Sequence, residues 1–380
     1  MKNRAFASTY AYDFLIHDMK PTLPRSPSMK NIFSLALFAA ALAGPATSAA
    51  LAVDVPANGE RVRPMRVAML SDGNTFSDNS FNQNCREGLE DLLYAGAPIY
   101  VQFCETLAPA NFERKLAAFA ERDYRLIIGI GYRMAAPIAA VASQYHRTHF
   151  ACVDGDYAEV PHNVWALTFQ VDQCSFPAGY LAAAWADLKD PQDPAVAYVG
   201  GVDTESVNQF IGGFRNGALH YNTVWNKSVR ILGGYVGSFE NFEGGKKLAK
   251  EYLDAGADVI FGVGSISGNG AIAAAKEHGK WAIGVDTDQY NTLFAQRDII
   301  LTSCLKRMDR AVHQTVTAAL DNQFWGGTRY IGTLANHGVG LAPYHDFENQ
   351  IPEQLQKEIN SIQLRIIEGK LSTGWPAEKN

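Results

Sequence analysis

Short apolar runs alternate with amphipathic stretches along most of the chain, and this alternation constrains the fold more than any other feature. Such a strand-helix rhythm predicts parallel sheets covered by helices. The runs fall into two series of about 100 residues each, which predicts an α/β protein with two doubly wound lobes. The first series comprises RVAML (from Arg66), IYVQFC (Ile99), LIIGIG (Leu126), HFACVD (His149) and NVWALTF (Asn163), and the second AVAYVGG (Ala195), VRILGGYV (Val229), DVIFGVG (Asp258), WAIGVD (Trp281) and IILTSCL (Ile299).

The N-terminal segment that precedes the first run is typical of an exported protein. Residues 29–52 combine a positively charged start, an apolar stretch at 32–44 and an A-x-A cleavage site, as a secretory signal does. Residues 1–28 contain acidic side chains that such a signal avoids, so we interpret them as an upstream false start with the biological start at Met29. The apolar stretch is too short to span a bilayer core of about 30 Å. We therefore expect a periplasmic protein, without a lipid anchor because no Cys stands at the end of the apolar stretch and the first is Cys85.

Charge and metal-binding patterns argue against several functional classes. A net charge of -6 offers no excess of basic residues for phosphates, so a nucleic-acid partner is not expected. The five Cys and nine His show no zinc-site spacing. The loop DGNTFSDNSFNQ departs from a calcium loop, because Ser77 replaces its glycine and Gln83 its final glutamate. We expect neither a metal nor a cofactor.

Acidic residues follow three of the predicted strands directly. Asp72, Asp154 and Asp286 each stand at the end of an apolar run, and Lys306 follows the last run of the second series. In open α/β sheets, ligands bind outside the carboxyl ends of the strands. Ionised Asp accepts strong hydrogen bonds, which suits a ligand with several hydroxyls or ring N–H groups. Asp at such a turn also caps the next helix, so both interpretations stay open for each residue.

The sequence also contains a glycine-rich turn, and it lacks the common catalytic motifs. In FGVGSISGNGAIAAAK, Gly264 can let backbone N–H groups approach a ligand, although a tightly packed turn explains these glycines equally well. The turn lacks the GK[ST] of a phosphate-binding loop. Neither a GxSxG motif nor a His at a strand end is present, which favours a binding protein over an enzyme.

Six ordered motifs resemble the basic membrane protein family, the purine nucleoside receptor branch of the ABC-transporter substrate-binding proteins. The resemblance extends from about Arg66 to Leu341. It implies a type I periplasmic binding fold, with two α/β lobes, three crossovers and a ligand between the lobes. We expect an N-terminal lobe at 64–169 plus 303–327 and a C-terminal lobe at 170–302 plus 328–380. The motifs are DNSFNQNCREGL, HFACVDGDY, GGFRNGA, GADVIFGVGSISGNGAIAAAKEHGKWAIGVDTDQ, ILTSCLKRMDRAV and YIGTLANHGVGLA.

The resemblance also implies roles for individual residues. Members of the nucleoside branch hold the purine between two aromatic rings and bind the ribose with carboxylates and a lysine. Phe81 matches one ring and Phe239 is expected to be the other, with Phe242 as the alternative. The carboxylates become acceptors, Lys306 a donor, and Tyr132 a side chain that can face the base. The full set of predicted ligand-binding residues, including supporting groups, is Asp72, Asn74, Phe81, Asn82, Tyr132, Asp154, Phe239, Gly264, Asp286, Asp288 and Lys306.

The expected function follows from this resemblance. We predict a monomeric periplasmic receptor that binds a purine nucleoside or related nucleobase compound and delivers it to an inner-membrane ABC permease, without enzymatic activity. The same fold binding a flavin or a sugar-like ligand is the alternative, and a nucleoside-processing enzyme is a further one. The chain departs from the family where Thr75 and Phe76 are inserted before the S-F-N segment.

Overall fold

The computed structural model describes residues 63–105 and 108–376. Within them the chain forms two parallel sheets packed against helices, which confirms the predicted α/β architecture with two doubly wound lobes. The predicted false start at 1–28 and the predicted signal at 29–52 lie outside the described residues. Among the described helices, none has both the length and the apolar character needed to cross a membrane.

The first lobe is built on strands from the first series of apolar runs. All pairings among them are parallel, in the spatial order β5-β4-β3-β1-β2. In this order the direction of winding reverses between β1 and β3, which is where such sheets bind ligands. The elements are β1 (Met65–Ser71), α1 (Phe81–Tyr94), β2 (Ile99–Glu105), α2 (Phe112–Ala120), β3 (Leu126–Ile130), α3 (Ala135–Ala142), β4 (His149–Val153) and β5 (Val164–Phe169).

The second lobe repeats this winding with strands from the second series. The spatial order β10-β9-β8-β6-β7 is again parallel and places the reversal between β6 and β8. The elements are α4 (Asp172–Lys189), β6 (Ala195–Gly200), α5 (Glu205–Trp225), β7 (Arg230–Tyr235), α6 (Phe242–Asp254), β8 (Val259–Val263), α7 (Ser265–Glu277), β9 (Trp281–Asp286), α8 (Gln289–Thr292) and β10 (Ile300–Lys306).

The remaining elements complete the two lobes alternately. After β10, helix α9 (Met308–Leu320) packs on α1 of the first lobe, and β11 (Thr328–Gly332) pairs in parallel with β5. The chain then returns to the second lobe, where β12 (Val339–Leu341) pairs antiparallel with β10 and α10 (Glu353–Ile367) packs on α4. The described chain thus passes between the lobes after β5, after β10 and after β11.

These crossings shift the predicted lobe boundaries. We expected 303–327 in the first lobe, but the end of β10 still pairs with β9 through Leu305 and Asp286. We also expected 328 onwards in the second lobe, whereas β11 lies in the first sheet. The segment that returns to the first lobe is therefore 308–332.

The lobes are stabilised by strands buried on both faces and by close helix packing. Strands β3 and β8 are buried at every position, as apolar strands of a helix-covered parallel sheet must be. Helices α4 and α5 approach so closely that a Cβ on Gly179 would lie 1.9 Å from the Phe214 carbonyl oxygen, and one on Gly217 1.9 Å from that of Phe176. Glycine at both positions is what permits this contact.

Candidate functional site

A cavity lies between the two lobes at the carboxyl ends of strands from both sheets. It encloses about 690 Å³ of space, part of which is open to solvent. The residues that follow or end β1, β3 and β4 line it from the first lobe, and those of β8, β9 and β10 line it from the second. Its position at the winding reversals is typical of a small-molecule site.

The structure brings all the predicted binding residues to this cavity except Asp288. Asp288 precedes α8, where its carboxylate accepts a hydrogen bond from the Asn291 amide at 2.8 Å and lies 2.8 Å from His345 Nε2. It therefore holds the start of α8 against the loop after β12. Of the two candidates for the second ring, Phe239 lines the cavity, whereas Phe242 begins α6 with 37% of its surface exposed.

Aromatic side chains from both lobes form the apolar part of the wall. Phe81 is the first residue of α1, and Phe239 lies in the loop before α6. A Cβ on Gly201 would lie 2.5 Å from the Phe239 ring, so the missing side chain makes room for that ring. Phe210 of α5 also lines the cavity, and sequence reasoning missed it because nothing in a helical segment shows which of its faces meets the other lobe.

A buried ion pair joins the lobes at one end of the cavity. Lys306 is only 1% exposed, and its Nζ lies 2.5 Å from Asp154 Oδ2 and 3.2 Å from Ser206 Oγ. The same Nζ stands 5.0 Å from the centre of the Phe81 ring. A buried charge must be paired and hydrogen-bonded to be tolerated. Because Asp154 comes from the first lobe and Lys306 and Ser206 from the second, this pairing needs the two lobes together.

Asp286 is a second buried carboxylate at the same end. Ser80 Oγ of the other lobe donates a hydrogen bond of 2.7 Å to Asp286 Oδ2. Burial raises the pKa of Asp286 to about 6, although the positive charge of Lys306 opposes this rise. A carboxylate with one direct donor retains acceptor capacity for a ligand.

Strained backbone occurs at three points of the cavity wall. Asp154, Ser265 and Asp286 have φ angles of +59°, +49° and +67°, in the left-handed region that non-glycine residues rarely adopt. Each such residue costs on the order of 1–3 kcal/mol, and such residues concentrate at functional sites. The strain therefore marks the cavity as a candidate site independently of its shape.

Asp72, which also lines the cavity, is already engaged by an arginine. The Arg133 backbone N–H and Nε donate to Asp72 Oδ2 at 3.3 and 3.4 Å, and its guanidinium also donates to the Asp72 carbonyl oxygen. Burial raises the pKa of Asp72, and the charge of Arg133 opposes this effect. Sequence reasoning missed Arg133, although its place just after the end of β3 in GIGYRM was the available signal.

The loop between β1 and α1 connects the lobes through Asp78, which sequence reasoning also missed. Asp78 Oδ2 accepts hydrogen bonds from the Asn82 backbone at 3.1 Å and from Ser265 Oγ of the second lobe at 2.9 Å. Asn74 donates to the same Ser265 oxygen at 2.7 Å. Asn269 of α7 donates to the Asp78 carbonyl oxygen at 2.9 Å. This loop is therefore bonded to the start of α7 across the cleft.

Phe76, one of the two residues predicted to be inserted, anchors that loop to the first lobe. It is only 4% exposed, and its ring lies 5.2 Å from the ring of Phe103 in β2. The backbone N–H of Phe76 donates to Glu105 Oε1 at 2.9 Å. Phe76 thus makes a buried contact at the sheet edge and does not line the cavity.

Residues 65–374 match the sequence model of the Bmp family, described as "ABC transporter substrate-binding protein PnrA-like". The chain is 30% identical to the "CD4+ T-cell-stimulating antigen" of Listeria monocytogenes over 80% of this chain and 87% of that protein. It is 26% identical to the "ABC transporter nucleoside-binding protein BmpA" of Lactococcus lactis, over 83% of this chain and 90% of that one.

Solved structures show the same fold. An ABC transporter solute-binding protein from Aeropyrum pernix K1 superposes with a TM-score of 0.75 at 24% identity, over 81% of this chain and 93% of that chain. One from Conexibacter woesei gives a TM-score of 0.65, also at 24% identity, over 81% and 98% of the two chains. These likenesses confirm the predicted type I periplasmic binding fold.

Proposed function

Because the chain belongs to the Bmp family of PnrA-like ABC transporter substrate-binding proteins, we propose that it binds a purine nucleoside or a closely related nucleobase compound. The observation that carries this proposal is the pairing of aromatic walls with a buried polar end in one cavity. Phe81 and Phe239 supply flat apolar faces, while Asp154, Asp286 and Lys306 lie together beside them.

The chemistry of this cavity matches the two halves of a nucleoside. A purine is flat and aromatic, so it gains from stacking on phenylalanine rings. Ribose carries hydroxyl groups that donate to carboxylates and accept from an ammonium group. Asp154, Asp286 and Lys306 offer both partners within a region from which water is largely excluded. The name of the Lactococcus relative, a nucleoside-binding protein, agrees with this assignment.

Closure of the lobes around the ligand is the proposed mechanism, and no bond is made or broken. Contacts from Phe81 in one lobe and Phe239 in the other reach the same ligand only when the lobes are together. A ligand shifts a conformational equilibrium by its differential affinity for the two states. The closed, loaded form would then be the one recognised by an ABC permease.

We further propose that the mature protein is periplasmic and has no lipid anchor, because residues 29–52 resemble a secretory signal without a cysteine at its end. Cell fractionation tests this location. Recovery of the mature chain in the cytoplasm, or labelling of a mature N-terminal cysteine by a lipid precursor, would contradict it. The proposed monomeric state is a separate proposal, which sedimentation of the mature protein tests.

Thermal unfolding of the mature protein with candidate ligands tests the proposed ligand class. Inosine, guanosine and adenosine are compared with free bases, ribose, riboflavin and D-allose. A ligand at 100 times its Kd should stabilise the fold by about 2.7 kcal/mol. We expect the nucleosides to raise Tm and the other compounds to leave it unchanged. A shift with riboflavin or the sugars alone would contradict the nucleoside assignment, and release of free base from a nucleoside would indicate an enzyme.

A further inference from the structure

We propose that Arg133 makes the site prefer 6-oxopurine nucleosides, such as inosine and guanosine, to the 6-aminopurine nucleoside adenosine. This inference rests on the proposed function and specifies which bases the site takes. It concerns the part of the cavity wall that Arg133 and Glu240 form.

Arg133 of the first lobe and Glu240 of the second both approach Gly73. A Cβ on Gly73 would lie 2.6 Å from an Arg133 Nη atom and 3.2 Å from Glu240 Oε1. Both charged groups therefore reach the same small region, and the missing side chain leaves it open. This part of the cavity wall presents a donor and an acceptor close together.

Phe239, on which the base is proposed to stack, lies close to Gly73 and Glu240. It directly precedes Glu240, and its carbonyl oxygen lies 3.5 Å from the amide of Asn74, the residue after Gly73. Lys306, with Asp154 and Ser206, lines the same cavity. In this proposal a nucleoside stacks its base on Phe239, contacts Lys306 through its ribose and directs the edge of its base towards Arg133 and Glu240.

The hydrogen-bonding capacity of Arg133 determines which type of purine base it can bind. A guanidinium has five N–H donors and no acceptor. Asp72 takes one bond from Nε and one from an Nη atom, which fixes the guanidinium and leaves its other N–H groups for a ligand. A 6-oxopurine presents the adjacent acceptors O6 and N7, which an arginine binds with two parallel bonds. In a 6-aminopurine the amino group replaces O6, so a donor would face a donor.

Glu240 supplies the complementary acceptor. Its carboxylate receives no hydrogen bond from the residues that the structure describes, and it lines the cavity. The N1–H group of a 6-oxopurine is a donor on the same edge as O6, whereas N1 of adenine is an acceptor. The carboxylate of Glu240 thus accepts a hydrogen bond from N1–H of a 6-oxopurine but would face an acceptor in adenine. It adds to the preference that Arg133 supplies.

Calorimetric titration with inosine, adenosine and 7-deazainosine tests the proposal. For the wild-type protein we expect inosine to bind at least about tenfold more tightly than adenosine, as a bidentate arginine contact implies. 7-Deazainosine lacks the N7 acceptor and should lose much of this advantage. Arg133→Met should lose most of this preference and keep only the part that Glu240 supplies. Arg114→Met, which changes an exposed arginine of α2 in the same lobe, should keep the wild-type preference.

The outcomes separate this inference from the proposed function. Equal binding of inosine and adenosine by the wild type, or a preference of unchanged size in Arg133→Met, would overturn this inference and leave the proposed function standing. No binding of any nucleoside would overturn the proposed function and the inference with it. If Arg133→Met does not fold, the wild-type comparison of inosine with 7-deazainosine decides, because equal affinities would exclude the bidentate contact.

Discussion

Lys306 carries a charge that is almost fully removed from solvent, and its partners are distributed over both lobes. Its Nζ contacts Asp154 of the first lobe and Ser206 of the second. Breaking a buried ion pair is far more costly than breaking an exposed one, because the remaining charge loses its partner. The charge of Lys306 is therefore fully paired only when the two lobes are close together.

The pH dependence of stability should reveal the buried carboxylate of Asp286. Its pKa is raised from the ordinary 3.8 to about 6, so the folded state binds this proton more tightly than the unfolded chain. Its contribution to stability is then greatest below about pH 4 and is lost as pH rises to about 6. We expect the unfolding free energy of the wild type minus that of Asp286→Asn to fall across this interval.

Urea denaturation of both proteins between pH 4 and 8 measures this difference, and subtracting the variant cancels the other titrating groups. A difference that stays constant across the interval, or rises with pH, would contradict the shifted pKa of Asp286.

Removing an aromatic wall should weaken ligand binding without unfolding the protein. If Phe81 stacks on the base, Phe81→Ala should reduce nucleoside affinity by about 1–3 kcal/mol. Phe242→Ala is the matched control, because Phe242 is close in sequence to the Phe239 wall but lies outside the cavity. Calorimetric titration of both variants decides, and equal affinities would assign Phe81 to packing alone.

At the level of residues, the sequence predicted groups that stand at strand ends but not their partners. Asp72, Asp154 and Asp286 were recognisable because a carboxylate directly follows an apolar run. The hydrogen bonds between Arg133 and Asp72 could not be predicted from the sequence, since they depend on how the turn after β3 folds back over β1. A pattern along the chain shows which groups end a strand, whereas pairing depends on distances across the sheet.

Among the elements, helices α4 and α5 depend on glycine for their close contact. A Cβ at Gly217 would lie 1.9 Å from the Phe176 carbonyl oxygen. Gly217→Ala should therefore destabilise the protein by about 1–3 kcal/mol through overpacking, although alanine is the better helix former. Urea denaturation measures this change.

Arg215→Ala is the control on the same helix, because Arg215 is exposed. We expect it to change stability by no more than about 0.5 kcal/mol. Equal effects of the two substitutions would show that α5 can move away from α4 at little cost.

The sequence located the buried strands well and the exposed strand β11 poorly. Strands such as β3 and β8 are continuous apolar runs, because both of their faces are covered. Strand β11 is exposed at most positions, so it lacks an apolar run and was assigned to the wrong lobe. The misplaced boundary at 303–327 has the same origin, since a crossover leaves no hydrophobic signature.

For the whole molecule, hydrogen bonds across the cleft should influence how readily the lobes separate. Ser265 Oγ donates to Asp78 and accepts from Asn74, both in the other lobe. Each such bond contributes about 1 kcal/mol. We expect Ser265→Ala to favour the open form, which should increase the radius of gyration of the ligand-free protein in solution X-ray scattering and lower ligand affinity.

Ser267→Ala offers a close control, because this serine lies in the same helix but bonds to Ser238 and Asn241 within its own lobe. It should leave the scattering curve unchanged. An identical response of the two variants would show that the bonds between Ser265 and the first lobe do not hold the cleft.

The alternating completion of the two lobes has a consequence for biosynthesis. The edge of β5 is covered only when β11 has been made, and the edge of β10 only when β12 follows it. An exposed strand edge is a template for pairing with other chains. A nascent chain that has emerged only as far as Lys306 therefore carries two incomplete sheets, and no single continuous segment of the chain contains one whole lobe without part of the other.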